Sequence, residues 1–229
     1  MHRWARPLFT LVLALIVASL CAQAPDRGAV SGRVTLTKRV RGTALPSVAY
    51  PAARTIGRHD AAPIRETSNV VVYVRDPAYR GPLPVLRVEI RQQHETFVPR
   101  IAAVTIGSIV DFPNDDPFFH NVFSLSSAAT FDLGRYPRGR TRSQTFTRPG
   151  VVKVYCQIHS HMSATILVLD HPFFTVPNDD GTYRLPLLPP GEYTVVGWHE
   201  RAGERAARVR VQPGQAATVD LALPVEDSP

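Results

Sequence analysis

Residues 156–162 read Cys156-Gln157-Ile158-His159-Ser160-His161-Met162, which places a thiol, two imidazoles and a thioether in one short stretch. A further histidine, His120, lies upstream and is followed by Asn121. A thiolate and two imidazoles in one plane, with a long axial thioether, are the ligands of a blue-copper electron-transfer site. The sequence therefore predicts that one mononuclear copper ion is bound by four side chains: His120, Cys156, His159 and Met162.

Cys156 has no cysteine with which to form a disulfide in the expected mature chain. The other cysteine, Cys21, lies in a segment that we expect to be removed, so Cys156 is free, intermolecular or bound to a metal. A buried free cysteine beside surface histidines is the structural alternative. Within the stretch, His161 is an alternative ligand to His159, and the spacing favours His159.

The first residues of the chain predict export. Residues 1–24 combine a positively charged start, an uncharged apolar run from Leu8 to Leu20, and small residues at Ala22 and Ala24, which is the pattern of a secretory signal. The apolar run is short for a membrane span, and no later segment is long and apolar enough to form one. We therefore expect a periplasmic or secreted protein without a transmembrane segment after signal removal. The formal net charge is +7, and because Arg3 and Arg6 leave with the expected signal, 7 − 2 = +5 remains for the mature chain. This modest excess favours an acidic partner, and no nucleic-acid partner is expected.

The composition and the apolar pattern predict an all-β fold. Proline is abundant, at 21 residues, and short runs of Val, Leu and Ile alternate with turn signals. Between residues 80 and 171 several such runs are separated by turns, which predicts a β-sandwich. One run, from Val151 to Tyr155, leads directly into Cys156. Residues 38–67 are rich in arginine and have little apolar periodicity, so we predict a long mobile loop there.

The spacing Cys156-x-x-His159-x-x-Met162, with His120-Asn121 upstream, resembles the cupredoxin family, in particular its amicyanin- and plastocyanin-like members. The resemblance covers residues 80–171 and implies a Greek-key β-sandwich with one copper ion. It implies that the Asn121 side chain ties the two ligand loops together. It also implies that Phe118 and Phe119 form an apolar electron port, with ordinary packing of these rings as the alternative.

The flanking segments resemble a second family. Asp180-Gly181-Thr182-Tyr183 and Pro189-Pro190-Gly191-Glu192-Tyr193 are similar to the turns of carboxypeptidase-regulatory-like, or transthyretin-like, β-sandwiches. The resemblance implies a split sandwich, residues 28–79 and 172–226, with the cupredoxin domain 80–171 inserted between its second and third strands. A single extended cupredoxin with extra strands is the alternative. We expect the last two strands, residues 207–211 and 217–223, to form a hairpin.

The predicted function is the transfer of single electrons between redox partner proteins. A partner with an acidic surface is one alternative. Chains that resemble this arrangement are often described as methylamine-utilisation proteins, which hints at a partner dehydrogenase. Tyr155 and Gln157 flank Cys156, whereas multicopper oxidases and copper nitrite reductases carry a histidine beside the ligand cysteine, so we expect no enzyme activity. Two other functions stay open: copper capture and delivery, and a structural module whose metal is incidental.

Overall fold

The computed structural model describes residues 26–39 and 66–226. This part of the chain forms β-strands and one short 3-10 turn, Glu66–Asn69, which confirms the predicted all-β class. The predicted signal and residues 40–65 of the predicted loop lie outside the described residues. In chain order the strands are β1 (Ala29–Arg39), β2 (Val70–Val74), β3 (Arg87–Glu89), β4 (Arg91–Gln93), β5 (Thr96–Val98), β6 (Ile101–Thr105), β7 (Ile109–Pro113), β8 (His120–Ser126), β9 (Ala129–Tyr136), β10 (Thr141–Thr145), β11 (Gly150–Tyr155), β12 (Ser163–Leu169), β13 (Phe174–Thr175), β14 (Thr182–Arg184), β15 (Gly191–His199), β16 (Gly203–Val211), β17 (Ala216–Thr218) and β18 (Leu221–Glu226).

The middle of the chain forms two larger sheets that share one core, and the two-stranded sheet β4-β5 adds Phe97 to this core. A three-stranded sheet has the order β10-β7-β3, and a five-stranded sheet has the order β6-β12-β11-β8-β9. Because side chains alternate between the two faces of a strand, each sheet turns one apolar face inward. Val110 and Phe112 of β7 are buried in one cluster with Val152 of β11 and Ile166 of β12. The arrangement confirms the predicted β-sandwich class, while the domain boundaries at residues 80 and 171 stay a prediction.

The strands on either side of this sandwich form a second pair of sheets. β1 pairs with β14 and, in parallel, with β17 and β18, while β13, β2, β15 and β16 form the other sheet. Val30 of β1, Val72 of β2, Val195 of β15 and Leu223 of β18 are fully buried in one cluster. Segments from both ends of the described chain therefore build one core. This arrangement is compatible with a split flanking domain, which stays a prediction.

Two local predictions at the ends of the second sandwich are wrong. β1 continues through Lys38 and Arg39, the two residues expected to begin the loop. The expected hairpin of residues 207–211 with 217–223 does not form, because β16 pairs with β15, and β17 and β18 pair with β1. The physical reason is that the second edge of β1 also needs hydrogen-bond partners, and the C-terminal strands supply them in parallel.

A small third cluster joins the two sandwiches. Val71 of β2, Ile101 of β6 and Leu167 of β12 are buried together, and Trp198 of β15 packs against them. An ion pair also crosses the contact, with Lys153 Nζ 3.1 Å from Glu200 Oε1. Apolar burial of this kind contributes roughly 25 cal/mol per Å². The flanking strands therefore pack against the face of the five-stranded sheet that carries Ile101 and Leu167. Among the described residues, no helix is long and apolar enough to cross a membrane.

Gly32→Ala should destabilise the protein by about 1–3 kcal/mol, the usual cost of overpacking. Gly32 lies where β1 changes partner from β17 to β18, and an added Cβ would overlap the carbonyl oxygen of Val219. Gly191→Ala is the matched control, because its Cβ would meet the Tyr193 ring at an ordinary distance of 3.5 Å. Urea denaturation measures both free energies of unfolding. Equal stability of the two variants would contradict the pairing of β1 with the C-terminal strands.

Candidate metal centre

The candidate ligands meet at one end of the five-stranded sheet. β8 begins at His120 and β11 ends at Tyr155, and the two strands pair antiparallel through Phe123 and Tyr155. The first residue of β8 therefore lies near the last residue of β11, which brings His120 close to Cys156. The loop 156–162 then folds back on itself. The Met162 N–H donates to the carbonyl oxygen of His159, and the Cys156 N–H donates to the carbonyl oxygen of Met162.

Three donor atoms face one another at this end of the sheet. Cys156 Sγ lies 3.8 Å from His120 Nδ1 and 3.9 Å from His159 Nδ1, and the two Nδ1 atoms are 3.0 Å apart. The centre of a triangle with these sides lies about 2.1 Å from each corner, which matches a metal–nitrogen bond. Two unprotonated ring nitrogens at this separation repel each other unless a proton or a cation lies between them. A thiolate and two imidazoles suit copper or zinc, so the residues present fit such an ion.

The centre is enclosed by the core of the sandwich. His120 is 0% exposed, Cys156 is 3% exposed and Met162 is 1% exposed, whereas His159 is half-buried. Cys156 and Met162 belong to the same buried cluster. The burial of Met162 in that cluster agrees with the axial role expected for this residue, which stays a prediction.

The two histidines of the loop are separated by the fold. His159 joins His120 and Cys156 in the one group of potential metal ligands found among the described residues. The His161 side chain is 63% exposed instead, and its Nε2 lies 3.6 Å from Glu95 Oε2. His94, which lies in the turn between β4 and β5, is also exposed. The geometry thus favours His159 over the alternative ligand His161.

Asn121 connects the two ligand segments. Its Oδ1 accepts a 2.7 Å hydrogen bond from the N–H of Gln157, the residue after Cys156. Asn121 itself follows His120 in β8 and is 1% exposed. A buried hydrogen bond between the segments resists their relative movement. The contact is the one expected from the resemblance for this asparagine.

Asp116 was not among the predicted site residues, yet it contacts His120 directly. Its Oδ2 lies 2.9 Å from His120 Nε2, and the residue is 5% exposed. Burial raises the pKa of the Asp116 carboxyl, but hydrogen bonds from the Glu95 N–H, from His120 and from the His94 N–H outweigh burial and hold this pKa below its usual range. The one signal in the sequence is a carboxylate four residues before the histidine, a spacing too common to single it out.

Tyr136 closes the centre on the side of β9, where it pairs with His120. Its hydroxyl donates to the Phe112 carbonyl oxygen at 2.9 Å and accepts from Gln92 Nε2 at 2.6 Å. Burial raises the pKa of Tyr136 far above that of a free phenol. The two hydrogen bonds fix the buried ring in place beside His120.

The surface above His120 is apolar at its centre and basic at its side. Phe118 and Phe119 are 53% and 56% exposed. Asn114 Nδ2 donates to the Phe118 carbonyl oxygen, and the Asn114 N–H donates to the carbonyl oxygen of Arg140. Asn114 therefore connects the turn that carries Arg138 and Arg140 to the backbone of Phe118. Both arginines are exposed, and neither forms an ion pair within the described residues.

No family model and no curated protein sequence matches the chain. Among solved structures it is similar to a Cu-containing nitrite reductase (NirK) from Thermus scotoductus SA-01, at 25% identity and a TM-score of 0.36, over 42% of this chain and 25% of that chain. It thus spans a quarter of the length of that protein. It is also similar to a purple cupredoxin from Nitrosopumilus maritimus (21% identity, TM-score 0.33, 36% of this chain and 99% of that one). A reduced amicyanin mutant is similar at 20% identity and a TM-score of 0.34, over 36% and 82% of the two chains. The assignment of the site therefore depends on its geometry.

His159→Ala should weaken Cu(II) binding by more than about 100-fold, because removal of a ligand costs more than the 10–100-fold typical for residues that only hydrogen-bond to ligands. His161→Ala is the matched control two residues away, and we expect its affinity to stay within about threefold of the unchanged protein, since this ring is exposed and outside the triangle. Titration in competition with a chelator measures both. A larger loss in His161→Ala would show that the loop binds the ion through the other ring.

Proposed function

We propose that this chain is a member of the cupredoxin family and works as a periplasmic or secreted type 1 (blue) copper protein that passes single electrons between redox partners. The observation that carries the proposal is the triangle of Cys156 Sγ, His120 Nδ1 and His159 Nδ1 at the end of a β-sandwich. Bound copper supplies a one-electron couple, Cu(II) + e⁻ ⇌ Cu(I), so no substrate bond is made or broken.

The chain's own residues hold the donor atoms in one arrangement for both oxidation states. His120 is fixed by a strand and a buried carboxylate, and Cys156 by the end of the neighbouring strand. Asn121 links the two segments. Fast electron transfer requires that the ligands move little when the charge of the ion changes, and a rigid donor set meets that requirement.

Burial favours an electron carrier over a copper-delivery protein. Delivery needs ligands that an acceptor protein can reach and replace, whereas His120, Cys156 and Met162 are all at most 3% exposed. His159 is the one proposed ligand that is not fully buried. An electron can leave through such a partly exposed ring, while the ion itself stays enclosed. The residues beside Cys156, Tyr155 and Gln157, offer no imidazole to a further copper ion, so we propose no enzyme activity.

We propose that the partner docks on Phe118 and Phe119 and is acidic. The exposed rings supply an apolar contact close to His120, and Arg138 and Arg140 beside them lack carboxylate partners among the described residues. Unpaired surface charge steers oppositely charged partners and increases their association rate. We further propose that the flanking strands are a split carboxypeptidase-regulatory-like sandwich that serves as a mount for the copper domain.

Cys156→Ser tests the copper site itself. The mature protein should bind one equivalent of Cu(II) and develop an intense thiolate-to-copper absorption band, which ascorbate bleaches and which is absent in Cys156→Ser. Ser160→Ala is the matched control in the same loop and should keep the band, because this side chain is exposed. Visible and electron-spin-resonance spectra give the readout. A colourless copper-loaded protein, or a band that survives in Cys156→Ser, would refute the blue-copper assignment.

The docking proposal predicts an effect of charge on electron-transfer rates. Reversal of Arg138 and Arg140 to glutamate should slow oxidation of the reduced protein by the anion hexacyanoferrate(III) by about tenfold at low salt, and less at high salt because ions screen the interaction. Reversal of Arg205 and Arg208, which lie on β16 of the other sandwich, is the control with the same change in net charge. Stopped-flow kinetics measures both. Equal slowing in the two variants would contradict a specific docking surface.

A further inference from the structure

The carboxylate of Asp116 is buried at a place where a charge is costly unless donors surround it. It has three donors. Its Oδ1 accepts the N–H of His94 at 2.6 Å, and its Oδ2 accepts the N–H of Glu95 at 2.8 Å and lies 2.9 Å from His120 Nε2. Its own N–H donates to Asn114 Oδ1 at 3.0 Å. These contacts together fix the position and the orientation of the Asp116 carboxylate.

The turn that receives the carboxylate has an uncommon backbone. His94 and Glu95 have φ values of 53° and 52°, in the left-handed region that residues other than glycine rarely adopt. In this conformation the two successive N–H groups point to the same side, which makes a small concave site for an anion. Asp116 occupies that site. The strain of the turn is thus offset by its contacts with one carboxylate, which the turn keeps beside His120.

The same contacts define which nitrogen of His120 carries the proton. An ionised carboxylate only accepts hydrogen bonds, so the His120 nitrogen that faces Asp116 must donate. The neutral ring therefore has its proton on Nε2 and its lone pair on Nδ1. Nδ1 is the atom that lies 3.8 Å from Cys156 Sγ and 3.0 Å from His159 Nδ1. Without Asp116 the ring would be free to adopt the other tautomer, in which Nδ1 cannot bind a metal ion.

We propose that Asp116 is a positioning residue of the metal centre, which presents His120 Nδ1 to the ion and whose negative charge favours the oxidised ion over the reduced one. The inference rests on the proposed copper function, because the second effect needs a redox-active ion. A carboxylate hydrogen-bonded to a ligand imidazole makes the ring a stronger base, and a stronger base stabilises the more highly charged ion. Asp116 thereby lowers the reduction potential of the site.

Asp116→Asn tests the electrostatic effect, and Asp115→Asn is the matched control in the next residue. The Asp115 carboxylate is partly exposed and lies 2.8 Å from Arg91 Nη1. Both changes remove one negative charge. In Asp116→Asn we expect the affinity for Cu(II) relative to Cu(I) to fall about tenfold, which for a one-electron couple is a rise of about 59 mV in the reduction potential. We expect a much smaller rise in Asp115→Asn, because that charge is hydrated and paired.

Nuclear magnetic resonance of the metal-free protein tests the positioning effect independently. Correlations between ring protons and ¹⁵N should show that His120 carries its proton on Nε2 in the unchanged protein. This measurement needs neither copper nor a folded variant. A proton on Nδ1, or an equal mixture of the two tautomers, would overturn the inference.

The outcomes separate the inference from the function on which it rests. A protein with no blue-copper spectrum would refute the proposed function, while the tautomer measurement would still decide whether Asp116 orients the ring. A blue-copper protein in which Asp116→Asn and Asp115→Asn shift the potential equally would refute the inference and leave the function intact. A larger shift in Asp116→Asn, together with the Nε2–H tautomer, would support both parts.

Discussion

The antiparallel pairing of β8 with β11 is the constraint on which the metal centre depends. It places His120 at the start of one strand and Cys156 just after the end of its neighbour, so two ligands far apart in the chain meet at one end of the sheet. β8 also shifts register against β9 between Asn121 and Phe123, and irregularities of this kind redirect side chains near functional sites. The sheet brings the two segments together. Asn121 then connects the His120 segment to the loop after Cys156, and Asp116 contacts the His120 ring.

The centre replaces apolar core packing with polar groups, and each of these groups has a partner. A buried imidazole, a thiol and a carboxylate would weaken a β-sandwich if they were unpaired. Here the carboxylate of Asp116 has three donors, and Asn121 bridges two loops. In the proposed copper protein, an ion would be the common partner of the donor atoms of His120, Cys156 and His159. Because a ligand that binds only the folded state stabilises it, copper binding would then raise the free energy of unfolding.

The parts of the site that depend on short-range spacing could be predicted from the sequence. Cys156, His159 and Met162 lie in one loop, and their types and order pointed to the centre and to a β-sandwich. Asp116 could not be found in this way, because its partners His94 and Glu95 belong to a turn more than twenty residues earlier. The C-terminal strands were wrongly assigned to a hairpin because a neighbour in sequence was preferred over β1, which lies at the other end of the chain. The strand β9, where polar residues and Gly134 interrupt the apolar pattern, was not predicted at all.

The chain leaves the second sandwich after β2 and returns to it at β13, and these two strands are direct neighbours, with Phe174 opposite Tyr73. The points where the chain leaves and re-enters the second sandwich are therefore adjacent, and the residues between β2 and β13 start and end at the same place on it. In the split sandwich proposed above, a domain inserted between two neighbouring strands leaves the pairing of the flanking strands unchanged. The flanking sandwich would need only a short turn to close the gap, and a small apolar area around Trp198 to become polar.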